Sequence, residues 1–243
     1  MKSVFVIWQD RDDRMWHPVA KLTTMDDDSY KLNYTNGAKH PRFVAFPRMT
    51  DLDKEYKSNT LFPFFKNRIM PERRPEYSSM LEWTGLENED FDPLSLLAIS
   101  GGARKTDNFR IISIPENQNG TYEFKFFVSG VRYLDLIEKS VIENLLPGQG
   151  LGYAHDDENK NDGDAIILLN KKNSIKIGYY PRYLNKDFRK LENLNLFTSK
   201  ISIFVVKVNI AAPEQYRLLC KMTTSWPDGF EPFRSLEYFD YSN

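Results

Sequence analysis

"DDENKNDGDAIILLNKKNSIKIGYYPRYL", residues 156–184, decides how the second half of this chain folds. It opens as a charge-dense loop, becomes wholly apolar at Ala165–Leu169, breaks at "NKKNS", resumes as "IKIGYY" and ends on a Pro-Arg corner. Short apolar runs bounded by polar breaks read as buried strands. Downstream, "LNKDFRKLENL" reads as a helix, followed by the extended runs "KISIFVVKVNI" and "YRLLCKMTT". Upstream, Leu134, Ile137, Val141 and Leu145 recur at intervals of three and four, the spacing of one helix face, with Pro147 and Gly148 to stop it. "FRIISI" and "TYEFKFFVSG" are strand-like on either side of the polar break "PENQNG". The second half is therefore expected to be a small β-rich barrel or sheet with short helices.

The first half changes period partway along. "KSVFVIWQ" and "MWHPVAKLTT", separated by "DRDDR", predict an opening hairpin, and "SYKLNYT" a third strand with Tyr30, Leu32 and Tyr34 on one face. From Thr60 onward, "NTLFPFFKNRI", "PEYSSMLEWTGL" and "DPLSLLAISGG" predict short helices, the last two with Pro at the start and Gly at the end. Phe62, Phe64, Phe65, Leu81, Trp83, Leu96 and Leu97 are the expected core of this half. The fold class is α+β. Residues 1–118 form an N-terminal sheet with short helices, 119–226 a small β-barrel-like domain, and 227–243 an aromatic and acidic strap.

The 243 residues are 41% hydrophobic, and 33 Lys+Arg balance 34 Asp+Glu to a net charge of −1. Global charge thus neither requires nor forbids a nucleic-acid partner, which needs only a local excess of cations. The single cysteine, Cys220, excludes an intrachain disulfide and fits a reducing, cytoplasmic setting. "MKSVFVIWQD" lacks the apolar run of a signal peptide, and no stretch approaches the ~20 apolar residues of a membrane span, so no membrane partner is expected.

Motifs for catalysis and metals fail when checked position by position. Counted as a calcium loop from Asp157, the sixth position is Asp162 rather than Gly and the twelfth is Leu168 rather than Glu. "SGGARKT" lacks the spacer of a phosphate loop and reads as a helix stop. His17, His40 and His155 are scattered, which gives no metal pair by spacing. No nucleophile elbow and no kinase catalytic loop occur. The expectation is a protein that is not an enzyme and needs no metal or cofactor.

"GVRY" (Gly130–Tyr133), "NKNDGDAI" (Asn159–Ile166) and "IGYYPRYL" (Ile177–Leu184) resemble the HIRAN domain in order and spacing over roughly residues 121–226. The family pattern runs Gly-x-x-Tyr, then Asn-Pro-Tyr-Asp-x-Asn-Ala-Ile, then Ile-Gly-Tyr-x-Pro-Arg. HIRAN modules are small β-barrel-like DNA-binding domains found beside helicase and nuclease domains, and the best understood grip single-stranded DNA at a free 3′ end. The resemblance implies a nucleic-acid partner here. The residues fit such a site in kind: a single-strand pocket wants aromatic platforms, cations for phosphate, and a hydrogen-bonding group for a terminal hydroxyl. Arg132 supplies a cation, Tyr133 and Tyr179 aromatic walls, and Asp162, with Asn161, an acceptor for the sugar. Lys176, Arg182, Lys186, Arg189 and Lys190 form a basic strip opposed only by Asp187. The same residues have structural readings: an Asx turn at Asp162-Gly163, a backbone requirement at Gly178, a core place for Tyr133, a solvated helix face for the cations. Lys160-Asn161 stands where the family has Pro-Tyr, which removes one stacking aromatic.

"NTLFPFFKNRIMPERRPEY" followed by "FDPLSLLAISGG" resembles the N-terminal subdomain of HipA-type kinases, over roughly residues 3–115, without the kinase lobes. That subdomain modulates a toxin partner, and a free-standing version can act as an antitoxin. Lys66, Arg68, Arg73 and Arg74 are either a second basic contact surface or a solvated loop. Two functions follow as expectations. One is a non-enzymatic module that targets or senses single-stranded DNA or DNA 3′ ends. The other is a protein-interaction, antitoxin-like regulator of a kinase, nuclease or helicase. Phage defence, DNA repair and toxin–antitoxin control are all compatible with these.

Overall fold

The computed structural model describes residues 2–87, 92–104, 106–195 and 200–241. It divides into two compact units, the first made of residues 1–79, 88–114 and 233–243, the second of residues 80–87 and 115–232.

In the first unit, β1 (Lys2–Gln9), β2 (Trp16–Thr24), β3 (Tyr30–Tyr34), β4 (Tyr56–Ser58) and β5 (Phe109–Ser113) form one sheet in the order β4-β3-β2-β1-β5. All its pairings are antiparallel. Val4 opposite Leu22, Leu22 opposite Leu32 and Val6 opposite Ile111 line one buried face across neighbouring strands. Helix α1 is a single turn, Pro63–Lys66, shorter than "NTLFPFFKNRI" predicts, because Phe62 is still extended at φ −54°, ψ 142°. Helix α2 spans Glu76–Thr84 and α3 Pro93–Ser100. The α3 start was legible: the Asp92 carboxylate accepts from the Leu94 and Ser95 amides at 2.7 and 3.0 Å, and Gly101 closes the helix at φ 73°.

The expected N-terminal core divides. Phe62, Phe65 and Leu97 join it, but Leu81 and Trp83 fall in the segment that groups with the second unit, where Trp83 stacks on Tyr216 at 6.2 Å. Residues 233–241 belong to the first unit, where Phe233 and Tyr238 meet Phe5 and Asp240 bridges to Thr35, whereas residues 227–232 of the expected strap group with the second unit. Ser242 and Asn243, the last two residues of that reading, lie outside the described residues.

The second unit contains β6 (Thr121–Phe127), α4 (Leu136–Glu143), β7 (Gly150–His155), β8 (Ile166–Asn170), β9 (Lys176–Tyr179), α5 (Asn185–Leu194), β10 (Ser202–Val208) and β11 (Leu218–Ser225). Its six strands run β6-β11-β10-β7-β8-β9, all antiparallel. The sheet curls until its edges meet: Ser129, just past β6, exchanges backbone hydrogen bonds with Tyr179 of β9 at 2.8 and 2.9 Å. Gly178 allows this approach, since a Cβ there would stand 2.4 Å from Val128 Cγ1 and 2.7 Å from the Ser129 carbonyl oxygen, at φ 133°. Tyr122, Phe124 and Phe126 alternate inward from β6, and Tyr180 and Phe188 complete the core. Cys220 is buried in that core, and burial pushes its thiol up, so it fills space rather than reacts.

No described helix is long and apolar enough to cross a membrane.

Candidate nucleic-acid interface

The curled sheet places the "GVRY" turn at the seam it closes. Gly130 takes φ 78°, starting a 3-10 turn over Val131–Tyr133, and a Cβ on it would sit 3.3 Å from the Tyr179 ring. Val131 points into the core, whereas Arg132 is exposed and Tyr133 is 72% exposed. The Arg132 guanidinium lies 4.5 Å from the Tyr133 ring centroid and donates to its hydroxyl. Tyr133 is thus not a core residue: it is an aromatic face, backed by a cation, held outward.

Tyr179 is the junction. Its hydroxyl donates to Asp156 at 2.9 Å and accepts from Lys176 at 3.2 Å and from the Asn159 amide at 3.4 Å, while Lys176 Nζ sits 4.2 Å from its ring centroid. Asp156 also accepts from Asn159 at 2.9 Å. These bonds from Asn159 and Tyr179, with the Lys176 charge, hold the Asp156 carboxyl below its ordinary range.

The 156–165 loop is braced from within and from below. Its backbone closes on itself through Asp156 N–H to the Ala165 carbonyl at 2.9 Å and Ala165 N–H to the Asp162 carbonyl at 3.1 Å. The Asp162 carboxylate accepts from its own Asp164 amide at 3.1 Å and from Asn185 Nδ2 at 2.8 Å, with Arg182 Nε at 3.5 Å. This is the Asx turn of the structural reading, tied down to the start of α5. Arg182 also donates to the Asn161 carbonyl. Arg189 donates to the carbonyl of Asp164 at 3.1 Å and to that of Gly163 at 3.3 Å, and pairs with Asp157 at 2.6 Å.

The predicted basic strip therefore splits. Arg182 and Arg189, each 22% exposed, hold the loop, and Lys176 holds Tyr179, while Lys186 and Lys190 stay exposed on α5. Asp187, expected to oppose the strip, is buried. A count of cations shows charge but not direction; on α5 Arg189 turns toward the loop and Lys186 toward solvent. Asn161 is exposed, and its amide is held by the Asn159 side chain at 3.0 Å. Sequence reasoning passed over Asp156, Asn159 and Asn185 as site residues. Asn159 is the first residue of the motif itself, and Asn185 is a polar residue opening a helix, so both left a signal.

The second basic cluster needs correcting at one position. Arg68 has a side chain only 2% exposed, forms a two-pronged pair with Asp107 at 3.1 and 2.6 Å, and lies 4.1 Å from the Phe64 ring centroid. It is a core cation of the first unit and cannot belong to a contact surface. Lys66, Arg73 and Arg74 are exposed. The histidines also differ from expectation. His17 and His40, 23 residues apart in sequence, pack with ring centroids 4.5 Å apart, because β3 runs antiparallel to β2 and carries the chain back toward the start of β2. His155 instead pairs with Glu192 at 2.7 Å.

Residues 121–227 match the family model of the HIRAN domain, and that stretch of the chain is a HIRAN domain. Two solved structures are similar over the better part of their own length. A protein from Lactobacillus plantarum is 22% identical, covering 44% of this chain and 97% of that one, with a TM-score of 0.33. The HIRAN domain of human HLTF is 17% identical, covering 47% of this chain and 98% of that one, with a TM-score of 0.34. No curated protein matches the chain.

Proposed function

We propose that the HIRAN domain of this chain binds nucleic acid through the seam of its curled sheet, and that its ligand is single-stranded DNA or a DNA 3′ end. The HIRAN domain is a nucleic-acid-binding module. The observation that carries the reading is the exposed Tyr133 with Arg132 against its ring, at the point where the sheet closes on Tyr179. Every base has a π-face, so one exposed ring backed by a guanidinium stacks a base without demanding a sequence. Lys186 and Lys190 supply phosphate contacts, and the braced loop sets the floor beside the platform. The Asp162 carboxylate already accepts from Asn185 and Asp164, so a terminal hydroxyl reaches it only as an additional donor. The protein acts by positioning rather than catalysis, as a targeting or sensing component.

A second reading has its own support. Leu136 and Ile137, on the first turn of α4 just past Tyr133, are 86% and 68% exposed, which suits an apolar protein partner such as a kinase, nuclease or helicase. Salt separates the two readings. Anisotropy with labelled single strands bearing a free or blocked 3′ hydroxyl, and with duplex, is measured at two salt concentrations. Tight binding that weakens steeply with salt supports the nucleic-acid reading, and loss on blocking the hydroxyl supports end recognition. No binding at the lower salt overturns it in favour of the protein partner.

A further inference from the structure

Three segments of the first unit bring metal-ligating side chains together at the turn end of the β1–β2 hairpin. Asp13 comes from the turn before β2, His17 from β2, and His40 from the residue after the 3-10 turn Asn36–Lys39, and one donor atom from each lies within 4.8 Å of the others. The two imidazoles are largely enclosed, with side chains 13% and 16% exposed, and Trp8 packs beside both at 6.0 and 5.4 Å. His17 Nε2 is buried with no hydrogen-bond partner. Its Nδ1 faces Glu237 Oε1 at 3.7 Å, which leaves Nε2 as the nitrogen in want of one. Leaving a buried polar atom unpaired is costly, so a water or an ion is expected to satisfy it.

The surrounding charge favours a cation. Asp10 stands 3.4 Å from His40 Nε2, whose ring also accepts at Nδ1 from the Arg42 amide at 3.3 Å, and Asp12, Asp13 and Glu237 add three further carboxylates. Arg42 is the cation paired with this group, and its closest bond is to Asp10; its distances to Asp12 and Asp13 are 3.5 and 3.8 Å. Asp13 can turn toward the histidines without breaking the Arg42–Asp10 pair. Donors around a four-coordinate ion with bonds of about 2.0–2.1 Å lie about 3.3 Å apart. Asp13 Oδ1 accepts from the Met15 amide at 2.7 Å, so Oδ2, 3.8 Å from Arg42, is the oxygen that closes the remaining gap.

We propose that Asp13, His17 and His40 form a site for one divalent first-row transition-metal ion of the zinc class, with water at the remaining position. Two imidazoles and one carboxylate select such an ion over magnesium or calcium, which take oxygen donors. Glu237 orients His17 from behind, as carboxylates do for metal-bound imidazoles. Bound metal ties the hairpin turn, β2 and the His40 segment together.

The test is titration of the full chain with zinc chloride, cobalt chloride or magnesium chloride, read by calorimetry, thermal unfolding and, for cobalt, visible absorption. One zinc per chain, a raised Tm, cobalt bands typical of nitrogen and oxygen ligands, and no response to magnesium are expected. Asp13→Ala, which alters an exposed side chain and leaves the core alone, and His40→Ala each weaken zinc binding at least about tenfold. His155→Ala leaves it unchanged. Zinc binding no tighter than magnesium, or zinc binding insensitive to Asp13→Ala and His40→Ala, overturns the site.

Discussion

Two segments of the HIRAN domain meet at Tyr179 and use their polar groups in opposite ways. The 156–165 loop turns its carboxylates and carbonyls toward the protein, where Arg182, Asn185 and Arg189 bind them. The Gly130–Tyr133 turn anchors only Val131 and holds Arg132 and Tyr133 out. Both carry family motifs, but the loop commits Asp156, Asn159 and Asp162 to internal bonds while the turn holds an exposed ring backed by a guanidinium. The difference teaches that a motif residue can be given over to internal bracing, and on the proposed reading the loop supplies rigidity while the turn supplies contact.

Substitutions that separate bracing from contact test this comparison. The largest effect is expected at the seam. Gly178→Ala drives a methyl into Val128 and the Ser129 carbonyl at a backbone angle that disfavours L-residues, and should cost roughly 3 kcal/mol of stability in urea unfolding. If stability holds, the sheet closes by some other means. Next, Tyr133→Ala should weaken single-strand binding by about 1–3 kcal/mol while leaving the unfolding midpoint in place, since its ring is exposed. Arg189→Ala should do the reverse, freeing the loop carbonyls to exchange amide hydrogens faster and lowering affinity only through a looser floor, with about 1 kcal/mol lost from stability. Equal effects of Tyr133→Ala and Arg189→Ala on both readouts would erase the distinction. Smaller still, Lys186→Ala and Lys190→Ala should each reduce the salt slope of binding by about 1.

The brace also has a pH limit. The Asp156 carboxyl titrates below its ordinary value of 3.8 in the folded protein, so its contribution is fully present above that value and is lost as pH falls through the lower, folded one. Protection factors of the loop amides, which take out the intrinsic pH dependence of exchange, should therefore hold at about pH 5 and fall only in strong acid. Loosening already near about pH 5 would mean that Asp156 does not hold the loop.

Much of the second unit was legible. The apolar run at Ala165–Leu169 and the "IKIGYY" segment are β8 and β9, and the three-and-four spacing from Leu134 marks α4. Strand β7 was not, because Gly150 and Gly152 dilute its strand composition, although its pairing with both β8 and β10 makes it central to the sheet. β4 was too short to leave a pattern. In the site, aromatic and charged identities were readable but directions were not. Arg189 and Lys186 stand three residues apart on α5, and only the fold assigns one to the loop and the other to solvent. Arg68 and the His17–His40 pair show the same limit, since burial and long-range pairing carry no local signal. The resemblance of residues 3–115 to the HipA subdomain rests on sequence alone.

The central claim is that the Gly130–Tyr133 turn is the contact surface. Single-stranded DNA affinity of the Arg132→Ala/Tyr133→Ala double variant, compared with the unmodified chain at one low salt concentration and alongside thermal unfolding, tests it most directly. A loss of at least about tenfold with an unchanged Tm is the expected result. Unchanged affinity would contradict the account and move the interface elsewhere on the molecule.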